Sequence, residues 1–401
     1  MATETSEKTG LTQAVMKELN SWAEPEPETV FTETGNIGFD MAISNGRGLP
    51  LGNSILFWGA PGCGKTTLFA DVARRLIKIH KDQGIPFKVL YLAVEGSKEL
   101  MKKLGLNEYI NSRDFIYIEQ RFTWSQIEML YEMVLAGKGS YKDVKLIVID
   151  SVNNVLSSQN EKNSVASGDF GTKAKERNSF WAKYLPICKQ KKISTFMVAQ
   201  MRQKQNAGTN PYAETEKAAA SFSDLHNADV IFKCKKQTNN QDSVKVVTKT
   251  AFGESKDTKR YVLMLDPTNS SSKNRIDTTY QCEILLEKGY GAHNYYVMRK
   301  MLILHGYLKK DGAYYSFAKE VAEGLKLPDK KMYREDINKI IEKNIDILIA
   351  FLKETGKYSI VSSQGIKEIN GVEDTDDLSD EEVTVESLYS DADDTDEDDE
   401  D

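Results

Sequence analysis

The chain has 401 residues, 40% of them hydrophobic, with 53 Lys and Arg against 60 Asp and Glu. Positions 373–401 hold 17 acidic residues and no basic one, so the remainder carries 53 basic against 43 acidic residues, a net of +10. A mildly basic body with an acidic tail points to an anionic partner for the body and a tail that competes with it, and no run approaches the roughly 18 apolar residues of a membrane span.

The first 20 residues are polar, without the apolar segment of a signal peptide. An amphipathic stretch at 11–22 precedes a Pro-Glu repeat at 24–28 that no helix can cross, so 1–34 is expected to be a helical arm on an extended linker. From residue 54 onward, short apolar runs at 54–58, 89–94, 146–149, 195–199 and 229–232 alternate with helical stretches. Leu68, Val72, Leu76 and Ile79 give the segment after the first run one buried helical face. Such alternation predicts an α/β fold, a mostly parallel sheet flanked by helices, over 35–301. Two polar stretches, 157–175 and 202–220, each follow a predicted strand directly, and loops of that length inside a compact domain are usually functional or disordered. Residues 302–360 read as a small α-rich C-terminal domain, with Ile337, Ile340, Ile341, Ile345, Leu348 and Ile349 on one face, and 361–401 as a disordered acidic tail. Cys63, Cys188, Cys234 and Cys282 are widely spaced with no CxxC pair, which argues against a metal cluster or disulfide framework and suits a reducing cytoplasm.

The chemistry concentrates at four strand ends. Gly59, Ala60, Pro61, Gly62, Cys63, Gly64, Lys65, Thr66 and Thr67 satisfy GxxxxGK[ST] between a strand and a helix. Backbone N–H groups of such a loop wrap phosphates, Lys65 adds a charge at the β/γ oxygens, and the Thr66 hydroxyl can ligate Mg²⁺. Cys63 fits as a small residue where bulk is excluded, with redox sensitivity the alternative reading. Asp150 ends an apolar strand, where it can hold the water shell of Mg²⁺ or merely form a turn. Glu95 ends another, where it can activate the water that attacks a γ-phosphate or merely cap a helix. Gln200 ends a third and could sense the γ-phosphate. Lys173, Lys175 and Lys183, then Arg202 and Lys204, offer phosphate contacts without a base-reading pattern, and Phe170 could wedge between bases.

These residues, together with Thr34, Gly35, Asn36, Ile37, Gly38, Phe39 and Asp40, with Gly48 to Gly52, and with Ser151, occur in the order and spacing of the RecA-type homologous recombinases, over roughly 10–360. Pro186 and the segment 304–315 resemble the bacteriophage UvsX-type branch. The resemblance implies a DNA-dependent ATPase with a RecA-like P-loop core that uses ATP and Mg²⁺. Such a protein assembles head to tail as a helical filament on single-stranded DNA and tests homologous duplex DNA for strand exchange, with a single-strand-binding protein and a loading mediator as further partners. It implies catalytic roles for Glu95, Lys65 and Gln200, DNA loops at 157–175 and 202–220, a base-step wedge at Phe170, and Lys273 and Arg275 reaching ATP from the neighbouring subunit. Phe222 resembles an interface aromatic. The setting it implies is the cytoplasm of a bacterial or phage-infected cell. The chain departs from the pattern after Glu95, where it is about two residues shorter and lacks an adenine-stacking tyrosine, and at 217–220, where Lys and three Ala replace a Gly pair. A hexameric RecA-fold helicase and an ATP-binding recombination mediator share the same motifs and remain open at this point.

Overall fold

The computed structural model describes residues 29–95, 98–110, 112–158, 170–203, 216–220, 222–237, 243–250, 253–267 and 280–359. The predicted arm up to residue 28, the acidic tail, Lys204, Lys273 and Arg275 lie outside them. In chain order the elements are β1 (Phe31–Thr32), α1 (Ile37–Ser44), β2 (Leu49–Pro50), β3 (Ser54–Gly59), α2 (Lys65–Asp82), β4 (Lys88–Ala93), α3 (Lys98–Met101), β5 (Phe115–Glu119), α4 (Trp124–Leu135), β6 (Val144–Asp150) and α5 (Phe170–Gln190). They continue with β7 (Ser194–Gln203), β8 (Glu216–Ala218), α6 (Phe222–Asn227), β9 (Val230–Gln237), β10 (Val244–Thr250), β11 (Gly253–Pro267), β12 (Cys282–Glu287) and β13 (Gly291–Ala292). The C-terminal part comprises α7 (Asn294–Leu304), β14 (Leu308–Asp311), β15 (Tyr314–Phe317), α8 (Lys319–Gly324), β16 (Met332–Tyr333), α9 (Arg334–Lys343) and α10 (Ile345–Glu354).

The main sheet has the spatial order β13-β12-β11-β9-β3-β7-β6-β4-β5. From β9 to β5 all neighbours are parallel, and β11, β12 and β13 form an antiparallel edge. A central parallel strand must be apolar on both faces, and β3 shows how this is met. Ile55 and Phe57 join the core on one face of the sheet, while Leu56 and Trp58 join the core on the other. The first core packs α1, α2 and α7 against the sheet around a group of rings, Phe39, Phe57, Phe69, Phe196 and Phe232, whose neighbouring centroids lie 4.9–6.2 Å apart. The second packs α4 and α5 through Trp124, Tyr131, Phe180, Trp181 and Tyr184.

Local signals agree with these elements. Asn36 caps α1 by accepting from Phe39 N, and Thr123 with Gln126 forms a reciprocal capping box at α4. Lys65 opens α2 directly after the glycine-rich loop, and Leu68, Val72, Leu76 and Ile77 are its buried face, with Ile79 half-buried.

Three expectations need correction. The stretch 157–175 is not irregular throughout, because α5 already begins at Phe170, its later turns being held by the apolar contacts of Phe180, Trp181 and Tyr184 with α4. The stretch 202–220 begins and ends as paired strand: Met201, Arg202 and Gln203 face Ala218, Lys217 and Glu216 across an antiparallel ladder. Beyond 302 the α-rich segment also holds strands, since β14, β15 and β16 form a three-stranded antiparallel sheet, and the apolar face from Ile337 to Ile349 is divided at Asn344 between α9 and α10. Ile337, Ile341, Leu348 and Leu352 there are continuous with the first core. Among the described residues no helix is long and apolar enough to cross a membrane, and all four cysteines are free and buried.

One buried ion pair fixes α5 to α6. Asp224, fully buried, accepts from Arg177 at 2.9 Å and from the Trp181 indole at 2.8 Å, while Arg177 also donates to the Val152 carbonyl. Removing one partner of such a pair strands a buried charge, at a cost of about 3–5 kcal/mol. Asp224→Ala is therefore expected to lower unfolding free energy by that amount in a denaturant titration; a loss below about 1 kcal/mol would show that the pair does not anchor α5.

Candidate functional site

The carboxyl ends of β3, β4, β6 and β7 converge on one edge of the sheet, the position where open α/β sheets bind ligands. The loop from Gly59 to Gly64 leaves β3 there and passes into α2. Gly64 has φ +111°, and a Cβ at that position would lie 2.8 Å from the Tyr261 ring, so both conformation and space demand glycine. Gly59 faces β9 so closely that a Cβ would lie 2.3 Å from the Cys234 carbonyl oxygen. The loop is thus pressed onto β9 and β11 from below, and Tyr261 also donates to Thr67 Oγ1 at 3.3 Å.

Lys65 is largely buried and its ammonium donates to the carbonyls of Gly59 at 2.8 Å and Ala60 at 3.0 Å, spanning the loop it belongs to. It also lies 3.5 Å from Cys63 Sγ. A hydrogen bond with Cys234 and the Lys65 charge, against the effect of burial, bring the Cys63 thiol down to about 6, and burial pushes that of Cys234 well up. Both sulfurs are buried, in keeping with Cys63 as a small packing residue.

Asp150 is the hub of the site. Its Oδ2 accepts from Thr66 Oγ1 at 3.0 Å and from the Tyr91 hydroxyl at 2.6 Å. Burial pushes its carboxyl up from the ordinary range, while Tyr91, Thr66 and the Lys65 charge favour the ionised form. Its main-chain carbonyl accepts from Val94 N at 2.8 Å and Glu95 N at 3.0 Å, which sets the chain leaving β4. Glu95 then reaches across β6 to Gln200, whose Nε2 donates to Glu95 Oε2 at 2.7 Å. Gln200 does not end its strand as the sequence suggested: β7 runs on to Gln203 because β8 pairs with it, so Gln200 stands inside the strand, in register with Gly59. The Gln200 carbonyl accepts from Ala219 N at 2.7 Å, just past β8, and its own N–H donates to Asn153 Oδ1 at 3.4 Å.

Lys65, Thr66, Glu95, Asp150 and Gln200 are therefore brought together. The described residues expected to meet DNA lie on α5 and β7. Phe170 and Lys173 lie in the first turn of α5, Lys175 is exposed one turn on, and Arg202 is exposed on β7. Lys183 is already paired, with Glu128 at 2.8 Å and Glu132 at 3.5 Å on α4, which weakens its case as a phosphate contact. Tyr91, Tyr261, Cys234 and Asn153 were not singled out from the sequence; an aromatic residue within an apolar strand carries no local sign of a polar partner.

Thr66 and Asp150 offer hard oxygen donors 3.0 Å apart, a set that fits Mg²⁺. Among the described residues no group of three or more His, Cys, Asp or Glu could hold a metal alone, so an ion here would be shared with phosphate oxygens, as Mg²⁺ commonly is.

Residues 44–203 match the family model described as an AAA domain. The chain is 26% identical over 171 residues to the DNA repair protein RadA of Campylobacter jejuni, an alignment that takes in 43% of this chain and 33% of RadA. It is 22% identical over 360 residues to the protein RecA of Pseudomonas fluorescens, across 87% of this chain and 89% of RecA. The chain thus spans about a third of the RadA protein it matches and most of the RecA protein. Both are distant relatives, and with the sheet order and the glycine-rich loop they make the core a RecA-like P-loop ATPase fold. Lys65→Ala is expected to weaken nucleotide binding about 10- to 100-fold, the range of a charge-assisted hydrogen bond worth about 1.5–3 kcal/mol, in a fluorescent-nucleotide titration. Unchanged affinity would remove Lys65 from the site.

Proposed function

We propose that this protein is an ATP-dependent DNA strand-exchange recombinase of the RecA type, within its UvsX-like branch, that assembles as a helical filament on single-stranded DNA. The observation that carries this reading is the path through Gln200. Its side chain holds Glu95 at 2.7 Å, and its carbonyl receives the N–H of Ala219 on the return of the second polar stretch. A single residue therefore touches both the group suited to activating water and the segment suited to holding DNA. A RecA relative aligned over 87% of the chain supports the same reading.

In this mechanism Lys65 exchanges its two carbonyl partners for phosphate oxygens when ATP enters. Thr66 and Asp150 would hold Mg²⁺, which would supply neutralising charge to the triphosphate. Glu95, released by Gln200, orients the attacking water and accepts its proton. Gln200, turned toward the γ-phosphate, shifts the strand pair β7–β8 and with it the DNA-holding segment, so the polymer is gripped only while the triphosphate is intact. Lys173, Lys175, Arg202 and Lys204 would contact the DNA backbone, with Phe170 wedged at a base step, and leave base edges free for pairing. Lys273 and Arg275 would approach the phosphates of the neighbouring protomer. A single-strand-binding protein, a loading mediator and a homologous duplex complete the set of partners.

Two measurements test this. Electron microscopy with single-stranded DNA and a non-hydrolysable ATP analogue should show open helical filaments, whereas closed rings of six would overturn the recombinase reading in favour of a helicase. Gln200→Ala should leave nucleotide affinity within about twofold of the parent while abolishing stimulation of ATP hydrolysis by single-stranded DNA; retained stimulation would take Gln200 out of the coupling path.

A further inference from the structure

Tyr91 is a group at the phosphate edge for which neither the motifs nor the mechanism above supplies a role. It is fully buried in the middle of β4, in register with Val148 of β6 and Tyr117 of β5, and stacks on Tyr117 with ring centroids 5.8 Å apart and planes 28° apart. Phe115 lies against it at 6.1 Å. Phenylalanine would fill this space equally well, and burying a hydroxyl costs free energy unless it finds a partner. The partner is Asp150 Oδ2, at 2.6 Å.

The same oxygen also accepts from Thr66 at 3.0 Å. Asp150 Oδ2 is thus held from two sides, by the first turn of α2 and by the sheet, and among the described residues no hydrogen bond falls on Oδ1, which is left for the water shell of a cation. The two bonds differ in kind. Thr66 belongs to the phosphate-binding loop and must present its oxygen to the metal when nucleotide binds. Tyr91 belongs to the sheet, its ring fixed by stacking, so its bond to Asp150 is made independently of the phosphate-binding loop.

We propose that Tyr91 is a positioning residue for the Mg²⁺ site: its hydroxyl, fixed by the aromatic stack on β4 and β5, holds the Asp150 carboxylate at the angle from which Oδ1 orders the metal's water shell. The proposal rests on the P-loop ATPase reading of this edge. Groups that orient a metal's protein partners change metal affinity by about 10- to 100-fold when removed.

The test is a Mg²⁺ titration of binding to a fluorescent ATP analogue, with kcat measured separately at saturating Mg²⁺. Tyr91→Phe should raise the Mg²⁺ concentration for half-maximal binding about 10-fold or more, leave metal-free nucleotide binding unchanged, and recover most of kcat once Mg²⁺ saturates. Tyr117→Phe is the control. It removes a neighbouring buried hydroxyl that has no hydrogen-bond partner among the described residues, and it should leave the Mg²⁺ midpoint where it was. A Tyr91→Phe midpoint equal to the parent's, or an equal shift in Tyr117→Phe, overturns the positioning role while the ATPase reading stands. Absence of Mg²⁺-dependent nucleotide binding in the parent protein overturns both.

Discussion

A carboxylate taken out of water stays charged only if enough hydrogen bonds and positive charge surround it, and the phosphate edge of this protein is arranged around one such group. Asp150 draws Thr66 of the phosphate loop to its side chain and the amides of Val94 and Glu95 to its carbonyl. It therefore sets, through one residue, both where a cation would rest and where Glu95 leaves β4. The aromatic layer of Tyr91, Tyr117 and Phe115 beneath it keeps that residue dry. Had Asp150 been exposed, neither alignment would survive competition from solvent.

The phosphate loop obeys the same logic of enclosure. Its glycines are pressed against Tyr261 and Cys234, so the loop is shaped by strands that are far away in sequence. Lys65, bonded to two carbonyls of its own loop, keeps its charge satisfied until a better acceptor arrives. A preformed nest and a self-paired lysine together lower the reorganisation required when an anion binds.

Much of this was legible from the chain alone. The strand-loop-helix around Lys65, the apolar strand ending at Asp150 and the alternation of strands with helices depend on local pattern, and each forms where it was expected. What escaped depends on pairing between distant segments. β7 runs through Gln200 to Gln203 only because residues 216–218 return to pair with it, and nothing within 194–203 announces that. Lys183 reads as a free cation until Glu128, 55 positions earlier, is found beside it. Tyr91 reads as one more aromatic in a buried strand, since its hydroxyl's partner lies 59 residues further along. The small sheet of β14, β15 and β16 was hidden for a similar reason: its strands span two to four residues, too few for a period to show.

The ladder between β7 and β8 has a bearing on how such a protein could diversify. The segment 204–215 is anchored at both ends in one antiparallel pair, so its closure is already secured by backbone hydrogen bonds of residues 201–203 and 216–218. Lengthening a closed segment costs little, roughly 0.6 kcal/mol for each doubling. Insertions, deletions and substitutions in this segment can therefore accumulate while the sheet edge one residue away keeps its geometry. In the proposed function, preference for a polymer and competence in hydrolysis would then be separable under selection and could evolve at different rates within a single fold.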